Sequence, residues 1–295
     1  FHTLVPPEKP KCTWISGDFG SGKSHLLKIL SYVLENKYEI DGKPCAEIFA
    51  SKAEDFELRG DIQKACRIPT ESVLFNIQEK LDATTKSTID PVLNIFVKEF
   101  NRKMGYDDKK PEIAEIERYF DNKGKYEFFK EEYQKRFGET WENGRKSILL
   151  KLQRVAEIMA EIDGIPQATA FDNIKAQIAN YKIDTDGFVA LVKEHLDKQQ
   201  PGSRFIFFVD EVGQFIGKDV HRMLSLQTIA EGLSDKTNGQ SIVIVTSQMD
   251  IDATLGNLDK QQEYDFSRIQ GRFDTRISLT SANADEVIQR RLLEK

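Results

Sequence analysis

The sequence predicts an α/β fold in which a parallel sheet flanked by helices is interrupted by a large helical insertion. Short apolar segments typical of buried strands recur along the chain, and a segment with helical spacing of its apolar residues follows the first of them. The middle third of the chain carries helical patterns instead. Hydrophobic residues make up 39% and charged residues 31% of the 295 positions, which excludes the disordered and fibrous classes.

Five short segments are predicted to be the strands of the sheet. The fully apolar segment FIFFV (205–209) is expected to lie centrally, because strands buried on both faces lack a polar side. Helices are expected at 24–36 and at 220–233, where apolar residues recur at helical spacing. The predicted strands are Lys11–Ser16, Ser72–Ile77, Phe205–Val209, Ser241–Ser247 and Arg276–Leu279.

The region from about 90 to 198 is predicted to be a set of successive helices. Phe129, Tyr133 and Phe137 are spaced by four and form an aromatic ridge on one helix, which we expect to be core because no basic excess accompanies it for base stacking. A heptad-like seam is expected along Ile148, Leu152, Val155, Met159 and Ile162.

These patterns divide the chain into an interrupted core and an insertion. The first part of the core is expected at 1–89, the helical insertion at 90–200, the second part of the core at 201–281, and the start of a truncated helical lid at 282–295. The chain begins at Phe1 without Met and ends inside a helical pattern, so we expect it to be a piece of a longer protein.

Composition argues against several functional classes. The 42 basic and 48 acidic side chains give a net charge of −6, which gives no support to a dedicated nucleic-acid-binding module. Three widely spaced cysteines favour a reducing cytoplasm over a disulfide framework, and the four histidines form no zinc-ligand pattern. The apolar stretches are too short to span a membrane, and no secretory leader is apparent.

The segment 17–24 (GDFGSGKS) matches the phosphate-binding pattern G-x-x-x-x-G-K-[ST] in full. Glycines let consecutive backbone N–H groups point at phosphate oxygens, and the following helix adds its positive N-terminus. Lys23 is expected to reach the β- and γ-phosphates of ATP, and the Ser24 hydroxyl to bind Mg²⁺. The expected nucleotide-binding residues are Gly17, Asp18, Phe19, Gly20, Ser21, Gly22, Lys23, Ser24 and His25.

Two of these nine side chains leave alternatives open. His25 touches the nucleotide or, as the spacing favours, packs against the loop from the helix face. Phe19 covers the base of the nucleotide or seals the core.

Polar side chains follow two further predicted strands. Asp210 and Glu211 come directly after FIFFV, where an acidic residue can hold Mg²⁺ and an adjacent glutamate can act as general base on the attacking water. Gln248 and Ser247 end the strand 241–247, where ligands of open α/β sheets bind. Gln248 is the favoured candidate for orienting the water or the γ-phosphate; the alternative is ordinary strand-end capping.

Arg268 and Arg272 lie in the segment SRIQGRFD, just before the last predicted strand. Arginine stabilises charge that develops on a transferring phosphoryl group. The alternative for both is a surface arginine or an ion pair with Asp265 or Asp274.

The order of these motifs resembles the AAA+ branch of P-loop ATPases (AAA+/ASCE-like). More specifically, the segments SGDFGSGKSHLLKILSYVLEN, VLFNI, FFVDEVGQFIG, LSLQTIAEGL and VIVTSQ resemble the large ATPase of BREX bacteriophage-defence systems, the BrxC/PglY family. This resemblance implies ATP hydrolysis with Mg²⁺, a cytoplasmic location, and arginines at 268 and 272 that act on a neighbour's nucleotide. It also implies self-association of the full-length protein, the methyltransferase PglX and the phosphatase-like PglZ as partners, and action at DNA.

Two further functions remain open from the sequence. One is a nucleotide-gated module that assembles partners and turns over slowly. The other is a DNA-binding or DNA-translocating machine of the AAA+ type. Glu211 favours hydrolysis over binding alone, and the acidic balance disfavours direct DNA contact by this chain.

Overall fold

The computed structural model describes residues 1–5, 10–81, 88–216, 219–248, 273 and 275–279. It contains a five-stranded parallel sheet flanked by helices, as the sequence predicts, and a separate two-stranded hairpin. The strands of the main sheet are β1 (Thr13–Gly17), β4 (Thr70–Asn76), β5 (Arg204–Asp210), β6 (Ser241–Ser247) and β7 (Thr275–Leu279), and those of the hairpin are β2 (Glu39–Ile40) and β3 (Lys43–Pro44).

Twelve α-helices are found among the described residues. They are α1 (Lys23–Glu35), α2 (Cys45–Ser51), α3 (Phe56–Arg67), α4 (Pro91–Lys103), α5 (Pro111–Asn122), α6 (Tyr126–Phe137), α7 (Trp141–Gly144), α8 (Leu152–Asp163), α9 (Gln167–Ala179), α10 (Thr185–Asp197), α11 (Val212–Ile216) and α12 (Val220–Lys236). Across the ranges given above, no helix is long and apolar enough to cross a membrane.

The order of the strands in the sheet is β4–β5–β6–β1–β7, with every neighbouring pair parallel. All seven residues of β6 and all of β5 except Asp210 are buried. The segment FIFFV therefore lies in an interior strand, between β4 and β6, although the middle strand of the sheet is β6. The register places Ser16 opposite Ser247 and Val209 opposite Val245. The carboxyl ends of β1, β6 and β5 therefore meet at one edge of the sheet.

The chain divides into two compact units, one of 1–95 with 184–295 and the other of 96–183. The predicted insertion at 90–200 thus includes residues that pack in the first unit. Among them is α10, which packs against α12 and β5 because its buried face (Phe188, Val189, Val192 and Leu196) is apolar.

The core of the 96–183 unit is rich in aromatic rings. Phe129 stacks on Phe120 with ring centroids 4.2 Å apart and meets Trp141 edge-on at 4.8 Å. Phe129 and Tyr133 are fully buried, so the aromatic ridge predicted on α6 is core packing, as expected. The predicted heptad seam is interrupted: Ile148 lies in a 3₁₀ helix (Arg145–Leu150), and α8 begins only at Leu152 because the intervening Lys151 has non-helical backbone angles.

One fully buried carboxylate organises this unit. Glu117 of α5 accepts hydrogen bonds from the hydroxyl of Tyr126 (2.9 Å), the indole N–H of Trp141 (2.6 Å) and the guanidinium of Arg145 (2.7 Å). The backbone N–H of Asp107 donates to its second oxygen at 2.5 Å. The Glu117 carboxylate holds α5, α6 and α7 together, because its donors include side chains of α6 and α7. Removing its charge would leave these buried donors poorly satisfied.

We expect Glu117→Gln to lower the free energy of unfolding by about 3 kcal/mol, because the amide keeps the volume but cannot accept from all four donors. Urea unfolding followed by circular dichroism measures the loss. Glu112→Gln, in the first turn of the same helix and only half-buried, is the matched control and should change stability by less than about 1 kcal/mol. Equal effects of the two variants would contradict the role given to Glu117.

Candidate functional site

The glycine-rich loop (Gly17–Ser24) connects β1 to α1, the strand–loop–helix context that the motif requires. A backbone hydrogen bond from Ser21 N–H to the carbonyl of Asp18 (3.1 Å) makes the turn at its centre. Gly20 and Gly22 have φ angles of 82° and 87°, the left-handed region that side chains with a Cβ avoid. The two glycines therefore permit the chain to fold back on itself just before α1 begins.

Lys23, the first residue of α1, places its ammonium group inside this loop. Its Nζ atom donates to the carbonyl oxygens of Gly17 and Asp18, both at 2.7 Å, and lies 3.4 Å from the hydroxyl of Ser21. The residue is only 8% exposed, and no carboxylate among the described residues forms an ion pair with it. A buried cation held only by neutral acceptors suits an anionic ligand, since burial of an unpaired charge is costly.

The N-terminus of α1 is open to such a ligand. Gly22 at the N-cap position has no side chain to accept the first N–H groups, and the first turn contains no acidic residue. Uncapped N–H groups and the positive end of a helix bind phosphate and other anions. Ser24 and His25 are exposed beside it, so the structure favours neither alternative for His25. Phe19 is 88% exposed, which rules out the core-sealing alternative for its ring.

The second part of the candidate site is the end of β5. Asp210 and Glu211 are both half-buried there, and the neighbouring strand β6 supplies Thr246. The hydroxyl of Thr246 donates to Oδ1 of Asp210, which also accepts the backbone N–H of Glu211 (3.1 Å). Among the described residues, nothing donates to Oδ2 of Asp210 or to the carboxylate of Glu211, so these oxygens are left for other partners.

Glu211 has an unusual backbone conformation, with a φ angle of 63°. This left-handed geometry costs a residue with a Cβ about 1–2 kcal/mol. The turn carries the chain from β5 directly into α11, and it points the segment after Asp210 into the edge where the glycine-rich loop lies.

Glu211 and Phe19 of the glycine-rich loop border one cleft of about 370 Å³. Carboxylates and amides dominate its lining, and no basic side chain of the described residues contributes to it. The residues that line it are Phe19, Asn76, Gln78, Glu79, Glu211, Gln214 and Gln248. Four segments distant in sequence meet here; of the predicted site residues that the structure describes, Phe19, Glu211 and Gln248 line the cleft, whereas Lys23, Ser24 and Asp210 do not.

Gln248 is half-buried and lines the cleft, a position from which its amide could orient a ligand. Arg268 and Arg272 lie outside the described residues, as does the predicted lid, so their roles stay predictions. Sequence reasoning missed Asn76, the last residue of β4, and Gln78 and Glu79, which follow it; the rule that strand ends carry ligand-binding residues could have found them.

A magnesium ion has oxygen donors available in this arrangement. No group of three or more His, Cys, Asp or Glu side chains in the described ranges is arranged to hold a metal ion by itself. Mg²⁺ is commonly held by one or two protein oxygens together with substrate phosphates and water. The hydroxyl of Ser24 and Oδ2 of Asp210 are donors of the right kind for such a site.

The strain at Glu211 can be measured by comparing two truncations. We expect Glu211→Gly to be more stable than Glu211→Ala by about 1 kcal/mol, because only glycine tolerates the left-handed φ without cost. Gln214, exposed in the helix α11, is the matched control: there glycine should be less stable than alanine by about 1 kcal/mol. The same sign at both positions in urea unfolding would argue against strain at Glu211.

Comparison with known proteins does not assign the chain to a family. No protein-family model matches it, and no solved structure gives a significant match. The functional argument therefore rests on the glycine-rich loop, the strand ends and the hydrogen bonds between them.

Proposed function

We propose that the chain is an ATPase of the P-loop class, AAA+/ASCE-like, which binds and hydrolyses Mg-ATP at the cleft between the glycine-rich loop and Glu211. The observation that carries the proposal is the position of Lys23. Its buried ammonium lies within the glycine-rich loop without a carboxylate partner among the described residues, at the uncapped N-terminus of α1. This arrangement provides a positive charge and backbone donors together, which is what a polyphosphate needs.

Each element of the loop has a role in holding the nucleotide. The backbone N–H groups of the loop and of the first turn of α1 would bind the phosphates, and Lys23 would reach the β- and γ-phosphates. Ser24 and Asp210 would hold Mg²⁺, Asp210 through Oδ2. The ion would supply charge neutralisation of the phosphate oxygens.

Glu211 is the proposed general base. Its carboxylate accepts no hydrogen bond from the described residues and borders the cleft, so it can accept a proton from an attacking water. Gln248, on the rim of the same cleft, would orient that water or the γ-phosphate. Since no basic side chain of the described residues lines the cleft, we assign the stabilisation of transition-state charge to Arg268 and Arg272, supplied by a neighbouring subunit in a self-associated full-length protein.

The resemblance to the BrxC/PglY family supplies the biological setting of the proposal. The chain would then be the ATPase region of a BREX anti-phage complex in the cytoplasm, working with PglX and PglZ. Hydrolysis would drive conformational change or assembly of that complex, and DNA would be reached through the complex.

Lys23→Ala should weaken ATP binding by about 10–100-fold, the usual loss when a hydrogen bond to a charged group is removed. A fluorescent ATP analogue titrated against the full chain measures this. The matched control is Lys28→Ala, an exposed lysine on the same helix, which should bind like wild type. Equal affinities of the Lys23 and Lys28 variants, or no binding by wild type, would refute the proposed function.

Glu211→Gln should bind Mg-ATP like wild type while its turnover falls by about 10²–10⁴, because the amide keeps the shape and removes the base. Titration with the same analogue and a steady-state phosphate-release assay measure the two properties separately. Gln214→Ala, which removes another polar side chain of the cleft, is the control and should keep most of the turnover. Loss of binding together with turnover would make Glu211 a metal contact or a structural residue. Unchanged turnover in the variant would overturn the role of Glu211 as general base, whereas very slow turnover by a wild type that binds ATP would favour the nucleotide-gated module.

A further inference from the structure

Thr246 is hydrogen-bonded to both acidic residues of the candidate site, although it does not line the cleft. It is fully buried in β6, beside Asp210 of β5. Its hydroxyl donates to Oδ1 of Asp210 and accepts the backbone N–H of Glu211 (3.2 Å). The same N–H donates to Oδ1 of Asp210 at 3.1 Å, so the three groups form a closed set of hydrogen bonds.

This set fixes the orientation of the Asp210 carboxylate and of the backbone at Glu211. With Oδ1 engaged by two donors, the carboxylate of Asp210 has one oxygen, Oδ2, that accepts nothing from the described residues. The bond to the N–H of Glu211 holds that residue in its left-handed conformation, which a free chain would leave. Threonine suits this position because its branched Cβ restricts the side chain to few rotamers.

The two residues that follow Thr246 have different surroundings. Ser247 packs against α11 so closely that a Cβ on Gly213 would lie 2.0 Å from its Oγ atom, which accounts for glycine there. Gln248 lines the cleft. Thr246 is hydrogen-bonded to the carboxylate of Asp210 and to the backbone N–H of Glu211.

We propose that Thr246 is the positioning residue of the site: it presents Oδ2 of Asp210 to the Mg²⁺ of Mg-ATP and holds Glu211 in its catalytic conformation. This inference rests on the proposed ATPase function. Removing a residue that orients a metal ligand typically lowers metal affinity or activity by about 10–100-fold.

Thr246→Val removes the hydroxyl and keeps the shape, whereas Thr246→Ser keeps the hydroxyl. The matched control is Thr237→Val, because Thr237 is also a buried threonine whose hydroxyl donates to a carbonyl (Leu233, 2.6 Å) and accepts a backbone N–H (Ser241, 2.8 Å). It precedes β6, whereas Thr246 lies at the opposite end of that strand. Both valine variants should lower the melting temperature.

The measurement is the affinity of the full chain for a fluorescent ATP analogue with Mg²⁺ and with EDTA, together with kcat. For Thr246→Val we expect the Mg²⁺-dependent part of the affinity and kcat to fall by about 10–100-fold, with binding in EDTA unchanged. Thr246→Ser should stay within about threefold of wild type. Thr237→Val should lose thermal stability alone.

The outcomes separate this inference from the function on which it rests. If wild type binds and hydrolyses ATP but Thr246→Val keeps its Mg²⁺ dependence, or changes only as Thr237→Val does, the positioning role is overturned and the ATPase stands. If wild type fails to bind ATP at all, the proposed function is overturned and the inference with it.

Discussion

Parallel pairing of β6 with β1 on one side and with β5 on the other is the constraint on which the candidate site depends. The pairing brings the ends of three strands to one edge, although β1 and β5 are separated by almost 190 positions in the sequence. A shift of one residue in the β6 register would turn Thr246 to the opposite face and remove its hydrogen bond to Asp210. Burial of all seven residues of β6 stabilises the observed register.

Glu117 and Lys23 are both buried charges, and their hydrogen-bond partners indicate a structural role for the first and a functional role for the second. Glu117 accepts from four donors, one of them the guanidinium of Arg145, so nothing further is needed to satisfy it. Lys23 has only carbonyl oxygens and a hydroxyl as partners, which leaves its charge without compensation among the described residues. Burial alone does not distinguish the two; Lys23 differs in that it also lies inside a glycine-rich loop at an uncapped helix N-terminus, where an anion can bind.

Much of the fold follows from local pattern. The strand at 205–209 and the helix after the glycine-rich loop could be predicted because their apolar residues have a clear period or a continuous run. The break at Lys151 could not, because the seam of apolar residues continues across it and only the backbone angles of Lys151 reveal the interruption. The helix α10 was assigned to the insertion because its sequence is amphipathic like its neighbours, and only tertiary packing places it against β5.

The candidate site likewise contains residues that local sequence pattern predicts and residues whose role depends on tertiary packing. The spacing of Gly17, Lys23 and Ser24 is local, so the sequence alone could single them out. The role of Thr246 depends on which residue of β6 lies beside Asp210. This register cannot be predicted from the sequence of β5 or of β6 taken alone. The place of Asn76 at a strand end could have singled it out, but its position opposite Asp210 follows from the pairing of β4 with β5, which the sequence of β4 alone does not determine.

The charge of the cleft bears on how hydrolysis would be completed. Glu79 and Glu211 make its lining acidic, and the other polar groups in it are neutral amides. Negative charge that grows on a transferred phosphoryl group would be repelled by these carboxylates unless cations faced it. Lys23 and Mg²⁺ would meet that need at the glycine-rich loop, but no basic side chain of the described residues lines the cleft itself. A general base with no cation beside it in the cleft favours a site that a neighbouring subunit completes, which is why we propose that Arg268 and Arg272 act on a neighbour's nucleotide.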